Sequence, residues 1–158
     1  MRCLLAWSLA LFSACTARDK PMASDLHDFA ARYTAAWCSQ DPTQVAAFFA
    51  PNGSLKINEG APSVGRPAIT MAAQGFMTAF PDLVVRMDSV INDGGSRSRY
   101  YWTLTGTNTG PAGTGRSVRI SGYEEWTRGA DALIVTSLGH FDEAEYNRQL
   151  RADPAGRS

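Results

Sequence analysis

The 158-residue chain carries 15 Lys+Arg against 15 Asp+Glu, a formal net charge of zero, with 44% hydrophobic and 19% charged residues. That balance excludes intrinsic disorder, and the length allows one ordinary domain with a core of its own. Zero net charge also removes the long-range electrostatic footprint of a nucleic-acid binder, so no nucleic-acid partner is expected.

Residues 1–15 read MRCLLAWSLALFSAC. Arg2, the apolar run from Cys3 to Phe12 and the small Ser13 and Ala14 have the order of a secretory signal, too short to span a membrane as a helix. The segment ends in Phe12-Ser13-Ala14-Cys15, which resembles the bacterial lipobox with Phe12 in place of the usual Leu. The expectation is a signal over residues 1–14, lipidation at Cys15, and a periplasmic or cell-envelope lipoprotein. Plain cleavage near Ala17, giving a soluble secreted protein, is the alternative. The several chains of a bacterial lipoprotein anchor firmly where one chain does not, so membrane contact is expected only through Cys15. With Cys3 in the signal, and if Cys15 is lipidated, Cys38 has no disulfide partner and reads as a small core residue. Residues 15–23 form a linker, 24–151 the domain and 152–158 a frayed tail.

Leu26, Phe29, Ala30, Tyr33, Ala36 and Trp37 repeat at helical spacing and make one apolar stripe, with Ser24 as the expected cap. Asp41-Pro42-Thr43-Gln44 supplies an N-cap, a proline in the first turn and a capping-box Gln, so a short helix should carry Val45 to Phe49. Ser54 to Asn58 alternates like a strand. Gly65-Arg66-Pro67 opens a third helix, with Ile69, Ala73, Phe76, Met77 and Phe80 on its buried face, and Pro81 closes it. Trp37, Phe76, Phe80 and Leu83 are expected in the core. Four strands follow, over Leu83–Asn92, Ser98–Thr109, Arg116–Thr127 and Ala132–Phe141, separated by turn chemistry at Asn92–Gly95 and Arg128–Asp131. Gly106 and Gly122 inside long strands predict bulges or sharp curvature. Asp142 to Arg151 closes with a short helix. Helices ahead of an antiparallel meander make an α+β domain, its helices on one face of a curved sheet.

Gly110 to Ser117, GPAGTGRS, is one substitution from the phosphate-loop pattern. That pattern needs a helix after it, and here strand residues follow, so the segment reads as a hairpin loop. Asp142 ends an apolar strand with His140 two residues before it, which suggests a general base with a supporting imidazole. Asp142-Glu143-Ala144-Glu145 is equally a capping box, and a carboxylate bonded to helix N–H groups is a weaker base. Glu124 and Glu125 are adjacent on one strand and so point to opposite faces. An inward Glu124 needs hydrogen-bond partners, and Tyr33, Trp102, Tyr123 and Trp126 can give a pocket aromatic walls. One cysteine outside the signal and two histidines, His27 and His140, make no zinc set, and no Ser-His-Asp or Cys-His arrangement is assembled. Neither a metal nor a cofactor is expected.

The segments GTNTGPAGTG (Gly106–Gly115), ISGYEEW (Ile120–Trp126) and GHFDEAEYNRQL (Gly139–Leu150) resemble SnoaL-like polyketide cyclase proteins of the nuclear transport factor 2-like superfamily, cousins of ketosteroid isomerases. The likeness covers roughly residues 24–151. It implies a cone-shaped fold with N-terminal helices packed on a strongly curved, mainly antiparallel sheet. It also implies a catalytic Asp shortly after the last strand and before a Gln-Leu pair, matched by Asp142 ahead of Gln149-Leu150. Asn108 stands where many members carry His. The function expected is cofactor-free acid–base chemistry of cyclase or isomerase type on a small apolar carbonyl compound, with Asp142 and His140 catalytic. Tyr33, Trp102, Asn108, Glu124 and Trp126 would bind the ligand. The alternatives are a binding module without turnover and a structural lipoprotein, and two copies are expected to pair as a homodimer.

Overall fold

The computed structural model describes residues 19–151, with side chains from residue 25 onward. The expected signal, the lipidation site Cys15 and the tail from residue 152 lie outside the described residues.

Helix α1 runs Asp19–Cys38. It begins before Ser24, so that serine lies inside the helix rather than capping it. All six residues of the apolar stripe are buried, each large one contributing about 1.5–3 kcal/mol by leaving water. Helix α2, Pro42–Ala46, is capped by Asp41, whose carboxylate accepts from the Thr43 amide at 3.0 Å. It stops short of the expected Phe49 because Phe49 opens strand β1, Phe49–Ile57. A two-residue strand β2, Ser63–Val64, precedes helix α3, Arg66–Ala79. Strands β3 (Val84–Gly94), β4 (Arg97–Thr107), β5 (Ser117–Arg128) and β6 (Ile134–Phe141) follow, and helix α4 is Glu143–Leu150.

The strands form one sheet in the order β2-β1-β6-β5-β4-β3. β1 runs parallel to β6, and every other neighbouring pair is antiparallel. The helices cover one face. Leu55 of β1, Val85 of β3, Tyr100 and Leu104 of β4, Val118, Ile120 and Trp126 of β5 and Ile134 of β6 join α1, α2 and α3 in a single core. Phe76 is only half-buried, unlike Trp37, Phe80 and Leu83, and it lines a partly open cavity.

No bulge falls at either of the two strand glycines. The β4–β5 register is unbroken through Gly106 and Gly122, and the shifts fall in β1, β3 and near Arg128 instead. These two glycines provide room. A Cβ on Gly122 would stand 2.6 Å from Cζ2 of Trp102 and against the His140 carbonyl, and one on Gly106 would stand 3.1 Å from Cβ of Phe80. Cys38 is a free thiol whose sulfur donates to the Val85 carbonyl. Among the described residues, no helix is long and apolar enough to cross a membrane.

Candidate functional site

The core contains a cavity between α1, α3 and the covered face of the sheet. Trp37 and Phe76 line it from the helices, Leu55 and Ile57 from β1, and Tyr100, Trp102 and Leu104 from β4. Ile120 and Glu124 line it from β5, and Gly139 and Phe141 from β6. Its volume is about 50 Å³. A water needs roughly 10–15 Å³ on such a measure, so there is room for about four groups of that size.

Strand alternation makes Glu124 the one charged residue in this wall among the described residues. Glu125 is exposed, while Glu124 is 6% exposed. A buried carboxylate is costly unless it is hydrogen-bonded, and three side chains from three elements supply the bonds. Ser137 of β6 donates to Oε2 at 2.6 Å, the Trp126 indole N–H donates to the same oxygen at 2.8 Å, and the Tyr33 hydroxyl of α1 reaches Oε2 at 3.1 Å. Oε1 has only the longer arm of the Tyr33 contact, at 3.3 Å. Burial pushes the Glu124 carboxyl above its ordinary range, and the three donors oppose that without reversing it. Burial, then the nearby Glu124 charge, push the Tyr33 phenol well up. Tyr100 is also pushed up, mainly by burial. Its hydroxyl is engaged with Thr34 Oγ1 at 2.7 Å, and Thr34 in turn donates to the Ala30 carbonyl at 2.8 Å.

Rings brace this arrangement. Trp126 stacks on Tyr100 at 4.8 Å, and Tyr33 meets Trp126 edge-on at 5.2 Å. Trp102 occupies the wall because Gly122, its register partner on β5, offers no side chain beneath it. Trp102 Nε1 is buried without a hydrogen-bond partner.

Of the residues singled out by sequence, Glu124 and Trp102 line the cavity, and Tyr33 and Trp126 stand behind the carboxylate as its donors. Asn108 is elsewhere. Its amide donates to the Ala79 carbonyl and its oxygen accepts from the Thr114 amide, which ties the GPAGTGRS hairpin loop to the end of α3. The structure does not bring Asp142 and His140 into the cavity. Asp142 is exposed and caps α4, accepting from the Glu145 amide at 2.9 Å. His140 stacks on Tyr123 at 4.7 Å, and both belong to the opposite face of the sheet from Glu124 and Gly139. The reason is strand parity: Gly139 and Phe141, not His140, are the β6 positions that face inward. Ser137 was missed. The signal that finds it is a small hydroxyl residue two positions before Gly139 on that inward parity. Among the described residues no group of His, Cys, Asp and Glu is placed to hold a metal ion.

The sequence profile of the SnoaL-like polyketide cyclase family matches residues 27–150. Solved structures share the fold at low identity. A nuclear transport factor 2-like protein of Burkholderia pseudomallei is 21% identical with a TM-score of 0.69, the match covering 81% of this chain and 98% of that one. TsrD of Streptomyces laurentii is 19% identical with a TM-score of 0.69, covering 85% and 98%. A protein of Catenulispora acidiphila with a ketosteroid isomerase-like fold, solved with trimethylamine, is 14% identical with a TM-score of 0.68, covering 78% and 92%. No curated protein matches the chain in sequence.

Proposed function

The chain belongs to the SnoaL-like polyketide cyclase family, and within it we propose that this member holds a small, mainly apolar molecule in the cavity, with Glu124 meeting its polar atom. The observation that carries this is the buried carboxylate in an otherwise apolar wall, saturated on one oxygen and lightly engaged on the other. An apolar residue of similar volume would pack there at less cost. A ligand contact accounts for the carboxylate where packing does not.

A catalytic version of the same site is favoured by the raised Glu124 carboxyl. A general base works best when its pKa approaches the working pH. Oε1 is the oxygen free to take a proton from a carbon beside a carbonyl, while Oε2 stays tied to its three donors. Such a reaction is cofactor-free and of cyclase or isomerase type, and loss of the base would cost about 10²–10⁴ in rate. Export as a lipoprotein and pairing of two copies belong to the same proposal. Intact-mass and native mass spectrometry of protein from its own host measure both.

The test of the binding site is an amide-shift titration of isotope-labelled protein with solutes of about four to six non-hydrogen atoms, including cyclopentanone, tert-butanol and tetramethylammonium. At least one solute should shift the amides of Leu55, Ile120 and Gly139. Gly139→Leu should abolish the shifts, because its side chain enters the cavity from a position where a Cβ meets nothing nearer than 3.5 Å. If no solute perturbs these amides, or if Gly139→Leu leaves the shifts intact, the cavity is packing space and the proposal fails.

A further inference from the structure

As a ligand site, the reading on which this rests, the cavity has a charge with no resident counter-charge. Among the described residues, Glu124 is the only charged one in the wall, and no lysine, arginine or histidine lines it. Its three bonded partners, Tyr33, Trp126 and Ser137, are neutral. Neutral donors stabilise an ionised carboxylate but leave its net charge in place, so a bound cation would recover desolvation energy that these bonds do not.

The rest of the wall selects the kind of cation. A hard metal ion needs six or more oxygen ligands, or octahedral geometry with several waters. A primary ammonium needs acceptors for three N–H groups. The lining side chains offer one carboxylate and the Tyr100 hydroxyl, which is already engaged with Thr34. Five of the lining residues are aromatic: Trp37, Phe76, Tyr100, Trp102 and Phe141. Aromatic walls attract alkylated ammonium groups, whose methyls need no hydrogen-bond acceptors and whose charge favours ring faces. The volume, about four water-sized groups, suits such a head group. We infer that the cavity takes a small tertiary or quaternary alkylammonium ion, its charge held by the Glu124 carboxylate and its methyl groups by the aromatic wall.

The pH dependence has a definite sign. The cation binds the ionised carboxylate, so affinity rises with pH until Glu124 is ionised in the free protein. The titratable groups facing Glu124 are Tyr33 from α1 and Tyr100 from β4, and burial keeps both protonated over that range. A neutral ligand accepting a hydrogen bond from a protonated Glu124 gives the opposite slope.

Titration calorimetry compares tetramethylammonium chloride with tert-butanol, a neutral molecule of the same size, at constant ionic strength. The wild type should bind the cation at least about tenfold more tightly at about pH 8, with affinity falling toward about pH 5. Glu124→Gln should lose about tenfold or more for the cation and much less for tert-butanol, whose hydroxyl can still meet the amide. Its amide fits the site, since its oxygen can accept from Ser137 and Trp126 while its NH₂ donates to the Tyr33 hydroxyl. Trp102→Leu should weaken cation binding by a few-fold more than tert-butanol binding. Tert-butanol binding as tightly as the cation, or cation binding that does not rise with pH in the wild type, overturns the ammonium inference and leaves the cavity reading standing. Binding of neither solute overturns both.

Discussion

Glu124 sits at the meeting of two opposed effects, burial and three donors, and burial prevails. The consequence for stability follows from linkage. A carboxyl raised above its unfolded value binds its proton more tightly in the folded state. Its stabilising contribution is therefore full below about pH 4.5 and is lost as pH rises through the folded-state pKa. Wild-type thermal stability should fall with rising pH across that window relative to Glu124→Gln, which has no proton to lose. Parallel profiles for the two proteins would contradict this. Tyr33→Phe removes one donor from the carboxylate at a fully buried position. It should cost about 1–2 kcal/mol in denaturant unfolding and push the Glu124 carboxyl higher still. At Gly122 the constraint is space. Gly122→Ala should destabilise by about 1–3 kcal/mol through overpacking, with Trp102 forced off the sheet. An unchanged unfolding midpoint would show that the ring moves freely.

At the scale of elements, α4 separates capping from chemistry. Asp142 accepts from the Glu145 amide in an exposed position, so Asp142→Asn should keep both helix and ligand binding, while Asp142→Ala should cost about 0.5–2 kcal/mol. Loss of ligand binding in Asp142→Asn with unchanged stability would return Asp142 to the site. This element also shows what local pattern can and cannot reveal. Its cap was legible because a capping box is written within four residues. The α1 stripe, the α3 face and the four long strands were legible for the same reason, as periodicity in one segment. Strand β2 was not, since two residues carry no period. The early start of β1 was hidden because Phe48 and Phe49 continue the apolar run of α2. The faces of Glu124 and Glu125 were known to differ from parity alone, but which of them turns inward depends on what packs above the sheet. The family pattern drew attention to Asp142, while the geometry places Glu124 with its donors. Those donors come from positions 33, 126 and 137, a grouping no local spacing encodes.

On the scale of the whole molecule, the site depends on the chain crossing that sets β1 parallel to β6. This pairing puts Leu55 and Ile57 beside Ser137 and Gly139, next to Glu124 on β5. With α1 closing the cavity from above, the Tyr33–Glu124 hydrogen bond joins residues 91 positions apart. A site assembled in this way exists only in the folded domain, so a ligand that fills it should raise the unfolding temperature in a concentration-dependent manner. Carboxyl-carbon NMR of Glu124 reads directly whether this side chain is the ionisable anchor of that cavity. Its titration midpoint should lie above the ordinary 4.5 in the free protein and shift when a solute occupies the cavity, downward for tetramethylammonium. A midpoint at or below the ordinary value, indifferent to occupancy, would show that Glu124 does not anchor a ligand there.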